Sequence, residues 1–371
     1  MNRRTFLKLA AAVPAASALS RLPGVVAVAR AQQKEFNPRP GAWRAWEVTT
    51  RVEIARPAGV TRVWVPVPVV EGEYQKVQES RWSGNGRVME QVEDPRYGAA
   101  MVYAEFPESE KTPLLEVVSR FQTRDRSVDW SQKTPARLDA AETKKWTQPT
   151  DLMPTDGIVK ETAQEIVKGK TSDLDKTRAI YDWILVNTYR EPKVRGCGVG
   201  DIKGMLMTRN LGGKCADLNG LFVGLVRAAG VPARDVYGIR VGPSAFGYRS
   251  LGAGSATITK SQHCRAEVFL AGYGWVAMDP ADVAKAAREE TGEWLKIDHA
   301  LIAPVRRSLF GGWEGNWLAY NVAHDVQLPR STHGGKLGFL MYPQAETAEG
   351  RRDCLDPDTF KYTITTTPVT G

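Results

Sequence analysis

Apolar and polar residues alternate along much of residues 42–129, which is the period of a β-strand with one buried face. The runs that predict strands in this way are 46–54, 63–69, 101–106 and 114–121. Pro66 and Pro68 interrupt the second run, and prolines inside a strand pattern favour an edge strand or a bulge. We therefore expect a β-domain over 41–130 that is built as an antiparallel sandwich.

Helical periodicity replaces this alternation after residue 155, where apolar residues recur at spacings of three and four. One helix is expected to end at Gly169, and a second is expected to begin near Ser172. The clearest helical pattern runs over 218–229 and is closed by Gly230, and its apolar character predicts a helix in the core. Three strands are expected to follow it, at 236–241, 263–270 and 275–279.

Two regions have weaker patterns. The polar stretch over 131–154 resembles a linker, and the chain continues with β-rich runs over 286–371. Within that last region, 312–320 is a tryptophan-rich turn and strand that would either line a groove or lie in the core. We expect 286–371 to be a C-terminal extension that completes the sheet of an α+β core over 155–285.

The first residues form a targeting segment. Asn2-Arg3-Arg4-Thr5-Phe6-Leu7-Lys8 is a twin-arginine pattern, and a short apolar run and a small-residue site ending at Ala31 follow it. The apolar run is too short and too interrupted by proline to span a bilayer. We expect a cleaved signal peptide over 1–31, export by the twin-arginine machinery, and a periplasmic or secreted mature protein without a stable membrane span. The alternatives are an uncleaved anchor and a cytosolic N-terminal tail.

Composition excludes several classes of function. With 42% apolar and 25% charged residues, the chain is typical of a soluble globular protein, and its 371 residues suit two domains or one domain with substantial additions. The net charge of +8 comes mostly from the signal segment, and no dense basic stripe indicates a nucleic-acid partner. Four cysteines without a C-x-x-C pair exclude a disulfide framework. Cys197, Cys264 and Cys354 either contribute one bridge or are free thiols.

Cys215 has the sequence context of a reactive thiol. It directly precedes the core helix and follows Gly212-Gly213-Lys214, so unpaired backbone N–H groups and the positive end of the helix dipole converge on its sulfur. Such a position favours the thiolate, because helix N-termini lower the pKa of a cysteine below its ordinary value of about 8.5. The same N–H groups are suited to receive a developing oxyanion.

Among the four histidines, His263 is the best placed to act as the base for that thiol. It opens a predicted strand whose alternation turns Cys264 to the other face. The turn over 271–274 returns the chain to Asp279, and a three-residue loop would place His263 and Asp279 on one face. Asp279 would then fix the imidazole tautomer so that the other nitrogen meets Cys215. Each residue alone has an ordinary structural explanation, but together they predict a Cys-His-Asp catalytic site.

Three blocks of sequence resemble the bacterial transglutaminase-like superfamily. They are Gly213-Lys214-Cys215-Ala216-Asp217-Leu218 with the helix that follows, His263 with Glu267, and Gly272-Tyr273-Gly274-Trp275-Val276-Ala277-Met278-Asp279-Pro280. The blocks occur in order within 155–285, and 62–68 resembles the β-domain that often precedes this core. One departure is that Cys264-Arg265 follow the histidine, where the family often has Ala-Trp.

The resemblance implies a papain-like α+β core preceded by a β-sandwich-like domain, with Cys215, His263 and Asp279 as the catalytic triad. It implies no metal and no other cofactor. It also suggests Tyr189 as an aromatic group near the oxyanion, since transglutaminases carry one upstream of the cysteine. Trp275 shares a strand face with Asp279 and would either screen the site from water or pack in the core.

The chemistry expected of such a site is a cysteine thioester formed from a peptide-type amide. Hydrolysis of a peptide, protein or cell-wall amide, as by a cysteine peptidase or amidase, is the favoured outcome. The alternatives are acyl transfer from protein glutamine, as by a transglutaminase, and non-catalytic binding of a peptide or glycan. The triad residues do not select the acyl acceptor, because both reactions share every step up to the thioester.

Overall fold

The computed structural model of the chain describes residues 35–369, apart from the side chain of Thr359. The signal peptide predicted over 1–31 lies outside the described residues. Within 35–369, no helix has the length and apolar character needed to cross a membrane.

The described chain begins with strands, continues with helices, and then alternates between them. Its first elements are β1 (Arg44–Glu53), β2 (Thr61–Pro66), β3 (Gln75–Gly84), β4 (Val88–Glu93), β5 (Ala100–Phe106), β6 (Leu114–Thr123) and β7 (Arg126–Ser127). The middle of the chain forms α1 (Ala140–Thr147), α2 (Gly157–Ile166), α3 (Asp173–Asn187), β8 (Tyr189–Arg190), α4 (Ile202–Thr208), β9 (Gly212–Gly213) and α5 (Cys215–Ala228).

The remaining elements surround the candidate site and close the N-terminal sheets. They are β10 (Ala233–Arg240), β11 (Gln262–Leu270), β12 (Gly274–Met278), α6 (Pro280–Glu289), α7 (Ala303–Ser308), β13 (Gly312–Trp313), β14 (Trp317–Asn321), β15 (His324–Val326), β16 (Leu337–Phe339), β17 (Gln344–Thr347), β18 (Gly350–Arg351), α8 (Pro357–Phe360) and β19 (Tyr362–Val369).

Two antiparallel sheets make up the β-rich N-terminal region. Their strand orders are β19-β1-β6-β3 and β18-β17-β2-β5-β4, and apolar residues from both sheets meet in one core. Strand β6 shows why these segments form strands, because its buried and partly exposed residues alternate over its whole length, as the sequence pattern predicts.

The expectation of an edge strand or bulge at Pro66 is wrong. Strand β2 lies inside its sheet, between β17 and β5. Pro66 is the last residue of β2, whereas the pairing with β17 extends only as far as Trp64. The N–H that proline lacks is therefore not required by that ladder.

The C-terminal region contributes strands to several sheets. Strand β14 pairs with β10, which is how this region joins the central sheet of order β12-β11-β10-β14. Strands β17 and β19 instead pair with β2 and β1, so the end of the chain also completes the N-terminal sheets. The segment 131–154, expected as a linker, contains α1 with a buried Trp146. The limits of the domains stay a prediction.

Helix α5 packs on the central sheet and is buried from Cys215 to Arg227. It ends where the sequence predicts, because Gly230 adopts a φ of +83° and the N–H of Val231 bonds to the carbonyl of Val226. Each buried Leu, Val or Phe stabilises the fold by about 1.5–3 kcal/mol. Packing on the sheet therefore contributes more to the stability of α5 than the hydrogen bonds at its ends do, and it fixes the position of Cys215 as well.

The tryptophan-rich segment lies in the core. Trp313 and Trp317 are each only 1% exposed. The indole N–H of Trp317 donates to the backbone carbonyl of His263 at 2.8 Å. This segment therefore supports the strand that carries His263 and does not line a groove.

Candidate active site

Cys215 is the first residue of α5, and the preceding chain is held in place on two sides. Strands β8 and β9 form a short parallel pair that leads into the helix. The carboxylate of Asp217 accepts from the backbone N–H of Lys214 at 2.9 Å and from those of Val199 and Gly200 at 3.0 and 2.9 Å. Asp217 thus ties the loop before α4 to the start of α5, and the sulfur of Cys215 is fixed in position.

Three side chains surround the sulfur of Cys215, which is 4% exposed at the residue level. Burial acts to raise its pKa, but hydrogen bonds from Cys197, Cys264 and His263, together with the charge of His263, lower the pKa well below its usual value. The thiolate is therefore the stable form of Cys215. Cys264 does not line the cavity described below, and its exclusion as a second nucleophile stays a prediction.

His263 lies near the start of β11 with its ring held between Cys215 and two carboxylates. Its Nε2 is 2.8 Å from Oδ2 of Asp279 and 3.3 Å from Oδ2 of Asp282. Since Nε2 faces these carboxylates, Nδ1 is the nitrogen available to the sulfur of Cys215. The imidazole is thus oriented for proton exchange with that sulfur.

Asp279 is brought to His263 by a tight hairpin. Leu270 pairs with Gly274, so the loop between β11 and β12 has the three residues that place both side chains on one face. Asp279 then caps α6, where its Oδ1 accepts from the N–H of Asp282 at 3.0 Å. The same oxygen accepts from the side-chain amide of Asn219 at 3.1 Å. These bonds fix the carboxylate so that Oδ2 remains for His263.

Asp282, Arg240 and Asn219 belong to the site but were not found from the sequence. Arg240 on β10 bonds to Asp282 at 2.5 Å, and both side chains are 3% exposed. The available signal was the spacing of Asp279 and Asp282, because a capping aspartate and the residue three positions later lie together at a helix start. No comparable signal marks Arg240, which reaches the site through the pairing of β10 with β11.

The carboxylates decide the charge state of His263. Burial and the charge of Arg240 act to lower its pKa, but the charges of Asp282 and Asp279 and the hydrogen bond to Asp279 raise it to about 9. His263 is therefore an imidazolium at neutral pH. Burial and the charge of Asp282 raise the pKa of Asp279. Burial also acts to raise the pKa of Asp282, but the charges of Arg240 and His263 outweigh it and hold that pKa well below its usual value. The result is a buried thiolate–imidazolium pair backed by carboxylates.

A cavity of about 460 Å³ gives access to Cys215 and His263. Its other walls include Cys197, Gln262 and Tyr342. Cys215, His263, Cys197 and the two polar side chains therefore share one space in which a peptide-sized group can reach the sulfur.

Tyr189 and Trp275, the further candidates from the sequence, do not line this cavity. The hydroxyl of Tyr189 is 3.4 Å from the side-chain oxygen of Asn210, and its ring packs on Trp294 with centroids 5.8 Å apart. Trp275 lies under the guanidinium of Arg234, which is 4.0 Å from its ring centroid. Both aromatic residues thus make structural contacts away from the sulfur.

His263, Asp279 and Asp282 also have the spacing of a metal site, since one ligand atom from each lies within 4.8 Å of the others. Arg240 is 2.5 Å from Asp282, and Arg265 is 3.6 Å from Asp279. These two cations already compensate the carboxylates, so a divalent ion would meet repulsion there. The group is better suited to hold a proton on His263.

All four cysteines are free thiols in this structure, including the partly buried Cys354. The sulfur of Cys197 is 3.3 Å from the backbone carbonyl oxygen of Gln262. The sequence pattern allows one disulfide among three of these residues, Cys197, Cys264 and Cys354, and this structure does not contain it.

Comparisons with known proteins agree with this arrangement. Residues 160–280 match the family model of the transglutaminase-like superfamily, and residues 1–20 match the signal sequence of the twin-arginine translocation pathway. An uncharacterized protein of Haemophilus influenzae is 35% identical over 334 residues, which cover 85% of this chain and 89% of that protein. The match at the N-terminus confirms the predicted export by the twin-arginine route, to the periplasm or outside the cell.

A solved structure also shares the fold. It is that of a proposed cysteine protease from Cytophaga hutchinsonii, with a TM-score of 0.54 and 12% identity, covering 90% of this chain and 93% of that one. At this identity the likeness concerns the fold alone. It confirms the α+β class and the β-rich region that precedes the helical core.

Proposed function

The chain belongs to the transglutaminase-like superfamily, and on that premise we propose that it is an exported thiol enzyme that forms a thioester from a peptide-type amide and hydrolyses it. One observation carries the proposal. Cys215 and His263 share a cavity, and the Nε2 of His263 is 2.8 Å from a fully buried Asp279. A nucleophile, a base and the group that orients the base are thereby in contact.

The reaction follows from these charge states. The thiolate of Cys215 attacks the carbonyl carbon, and the backbone N–H groups at the start of α5 are suited to receive the developing oxyanion. The Nδ1 of the His263 imidazolium gives its proton to the leaving amine as the C–N bond breaks, which leaves a thioester and a neutral imidazole. Water then attacks the thioester, His263 takes its proton, and the C–S bond breaks to restore the thiolate.

Asp279 acts by holding the imidazole. Its hydrogen bond to Nε2 keeps Nδ1 directed at Cys215 and stabilises the imidazolium that donates the proton. In comparable triads, loss of the aspartate lowers kcat about 10⁴-fold although the other two residues stay in place.

The charge of the cavity favours hydrolysis over acyl transfer. Its walls carry the side chains of Arg190, Lys214, Arg240, Lys260 and Lys285, and no Asp or Glu within 35–369 lines it. A protonated amine, such as a lysine side chain, would be repelled on approach to the thioester, whereas water would not. The observation therefore supports water as the acyl acceptor.

The test is incubation of the mature protein with a pool of peptides and cell-wall fragments, with and without an added primary amine, followed by mass spectrometry of the products. We expect hydrolysed amides, little incorporation of the amine, and no product from Cys215→Ala. Amine incorporation that exceeds hydrolysis would instead identify a transglutaminase. Equal product profiles for the wild type and Cys215→Ala would favour a non-catalytic binding protein.

A further inference from the structure

The cavity beside Cys215 has an excess of positive charge. Besides His263, the cavity has five arginine and lysine side chains, and two of these have carboxylate partners behind the wall: Arg190 is 2.8 Å from Glu289, and Arg240 is 2.5 Å from Asp282. The ammonium groups of the three lysines make no ion pair or hydrogen bond among residues 35–369. The cavity therefore presents uncompensated positive charge to whatever enters it.

Lys285 is the most constrained of the three lysines. It lies on α6 between Asp282 and Glu289, but those carboxylates are already bonded to Arg240 and Arg190. Burial and the charge of Arg240 lower the pKa of Lys285 to about 8. An anion that enters the cavity would stabilise the charged form of this ammonium group, because the anion replaces lost hydration and offsets the repulsion from Arg240.

The other two lysines differ from each other in exposure. Lys214 is half-buried at the start of α5, as Lys285 is on α6, and Lys260 is exposed in the loop before β11. Charges at a cavity mouth raise the local concentration of anions and speed their entry, but they contribute less to binding than a buried charge does.

We propose that this cavity recognises a carboxylate on the amide substrate, and that Lys285 is the specificity-determining residue that binds it, with Lys214 and Lys260 assisting its entry. The inference rests on the proposed function, because it names the class of amide that Cys215 attacks. A carboxylate is the anionic group that peptides carry, either at the chain end or on an Asp or Glu side chain. Both sources share the chemistry that a lysine recognises.

Two alkylating reagents test this without knowledge of the natural substrate. Iodoacetate and iodoacetamide react with a thiolate in the same way, because a C–S bond forms, the C–I bond breaks and iodide leaves. The first carries a carboxylate where the second carries a neutral amide. The ratio of their rates at Cys215 therefore reports the charge preference of the cavity, and the fraction of thiolate cancels from it.

The rates would be measured on the mature protein at neutral pH, with the adducts assigned to Cys215 by mass spectrometry and the unfolded chain as reference. We expect the iodoacetate-to-iodoacetamide ratio in the folded protein to exceed that of the unfolded chain about tenfold or more. Lys285→Met should lower the ratio about three- to tenfold, and Lys285→Arg should restore most of it. Lys160→Met removes the same charge from an exposed position on α2 outside the cavity and should leave the ratio unchanged.

Three small amides of nearly equal shape distinguish the sources of the carboxylate and need no variant. N-acetylglutamine carries a chain-end carboxylate, N-acetylisoglutamine carries a side-chain carboxylate, and N-acetylglutaminamide carries neither. We expect one of the two carboxylates to protect Cys215 from iodoacetamide at a concentration about tenfold lower than the neutral amide does. The better protector identifies the source.

Two results would overturn the carboxylate site and leave the proposed function intact: equal reagent ratios in folded and unfolded chains, or equal protection by all three amides. In both cases Cys215 would still react rapidly with iodoacetamide. A Cys215 that fails to react with iodoacetamide contradicts the proposed function itself, and the carboxylate site with it.

Discussion

Two buried histidines each lie near an aspartate, and their surroundings give them different charge states. His263 has carboxylate oxygens at 2.8 and 3.3 Å, and the charges of those carboxylates raise its pKa to about 9. The nearest carboxylate to His324 is that of Asp235, at 3.9 Å from Nε2. Burial and the charges of Arg227 and Arg96 lower the pKa of His324 well below its usual value.

Access to the two histidines differs as well. His263 borders a cavity of about 460 Å³ together with Cys215, whereas the space beside His324 has only about 10 Å³ and room for one water. The Nδ1 of His324 is 3.1 Å from the hydroxyl of Tyr237, so it faces a phenol and not a thiol. We therefore expect acid–base chemistry at His263 and not at His324, because only His263 has close carboxylates, a nucleophile and an open cavity.

The largest expected effect separates the two histidines directly. His263→Ala should lower kcat/KM for hydrolysis of a peptide found in the screen by about 10²–10⁴-fold, because the proton donor and acceptor is lost. His324→Gln should change the same constant less than about threefold, since this side chain does not line the cavity beside Cys215, but should lower the melting temperature. A comparable loss of activity in both variants would show that the difference in their surroundings has no catalytic meaning.

The aspartates extend the comparison. Asp279→Asn should lower kcat by about 10²–10⁴-fold, because the imidazole loses both its orientation and the charge that stabilises its protonated form. Asp235→Asn should leave kcat within about threefold. Steady-state rates of the two variants at neutral pH are the measurement, and a greater loss for Asp235→Asn would contradict the assignment.

Asp235 should instead affect the pH dependence of stability. Burial raises its pKa to about 7, opposed by the charge of Arg227. Because the folded-state pKa is raised, the contribution of Asp235 to stability is present below about pH 4 and is lost as the pH rises through 7. Relative to the wild type, the free energy of unfolding of Asp235→Asn should therefore rise by about 2–4 kcal/mol between pH 4 and 8. Denaturant unfolding at both pH values measures it, and no change in that difference would contradict the raised pKa.

A smaller effect is expected at Asp282, the second carboxylate of His263. Asp282→Asn removes a negative charge that raises the pKa of His263, so the imidazolium should lose its proton below pH 9. In the pH profile of kcat, the decrease at alkaline pH marks the loss of this proton, and it should move toward neutral pH in the variant. We expect kcat of the variant to be about tenfold lower than that of the wild type at pH 8, with a smaller difference at pH 6. An unchanged alkaline limb would mean that Asp279 alone sets the charge of His263.

The smallest effects are expected at Tyr189 and Trp275, which lie outside the cavity. Tyr189→Phe removes only a hydroxyl with a partner at 3.4 Å, and Trp275→Phe keeps an aromatic ring under Arg234. Both variants should keep kcat within about twofold of the wild type. A decrease in kcat of more than tenfold in Tyr189→Phe would instead support the prediction that this hydroxyl stabilises the oxyanion.

The sequence was sufficient for those parts of the site that local patterns encode. Cys215 could be placed because a helix start is visible in the spacing of apolar residues over 218–229. His263 and Asp279 could be paired because a single hairpin with a three-residue loop joins their strands.

Long-range features could not be found in the same way. Arg240 meets Asp282 across 42 positions of sequence, and Trp317 supports His263 across 54. Strand β19 joins the sheet that begins at Arg44, and β17 joins the sheet that begins at Thr61. Both pairings are set by tertiary packing and not by any local signal. The five arginines and lysines of the cavity come from five separate segments, so its charge becomes apparent only once the chain is folded.

The central claim is that Cys215 is a thiolate paired with an imidazolium, and the pH dependence of its alkylation tests that claim most directly. Iodoacetamide would be added to the mature protein between pH 6.5 and 8.5, and the adduct at Cys215 quantified by mass spectrometry, with Cys354 as the internal reference. We predict that the rate at Cys215 changes less than about threefold over this range, because its pKa lies well below 8.5. A fall of about 50-fold toward pH 6.5, as expected of an ordinary thiol, would contradict the account.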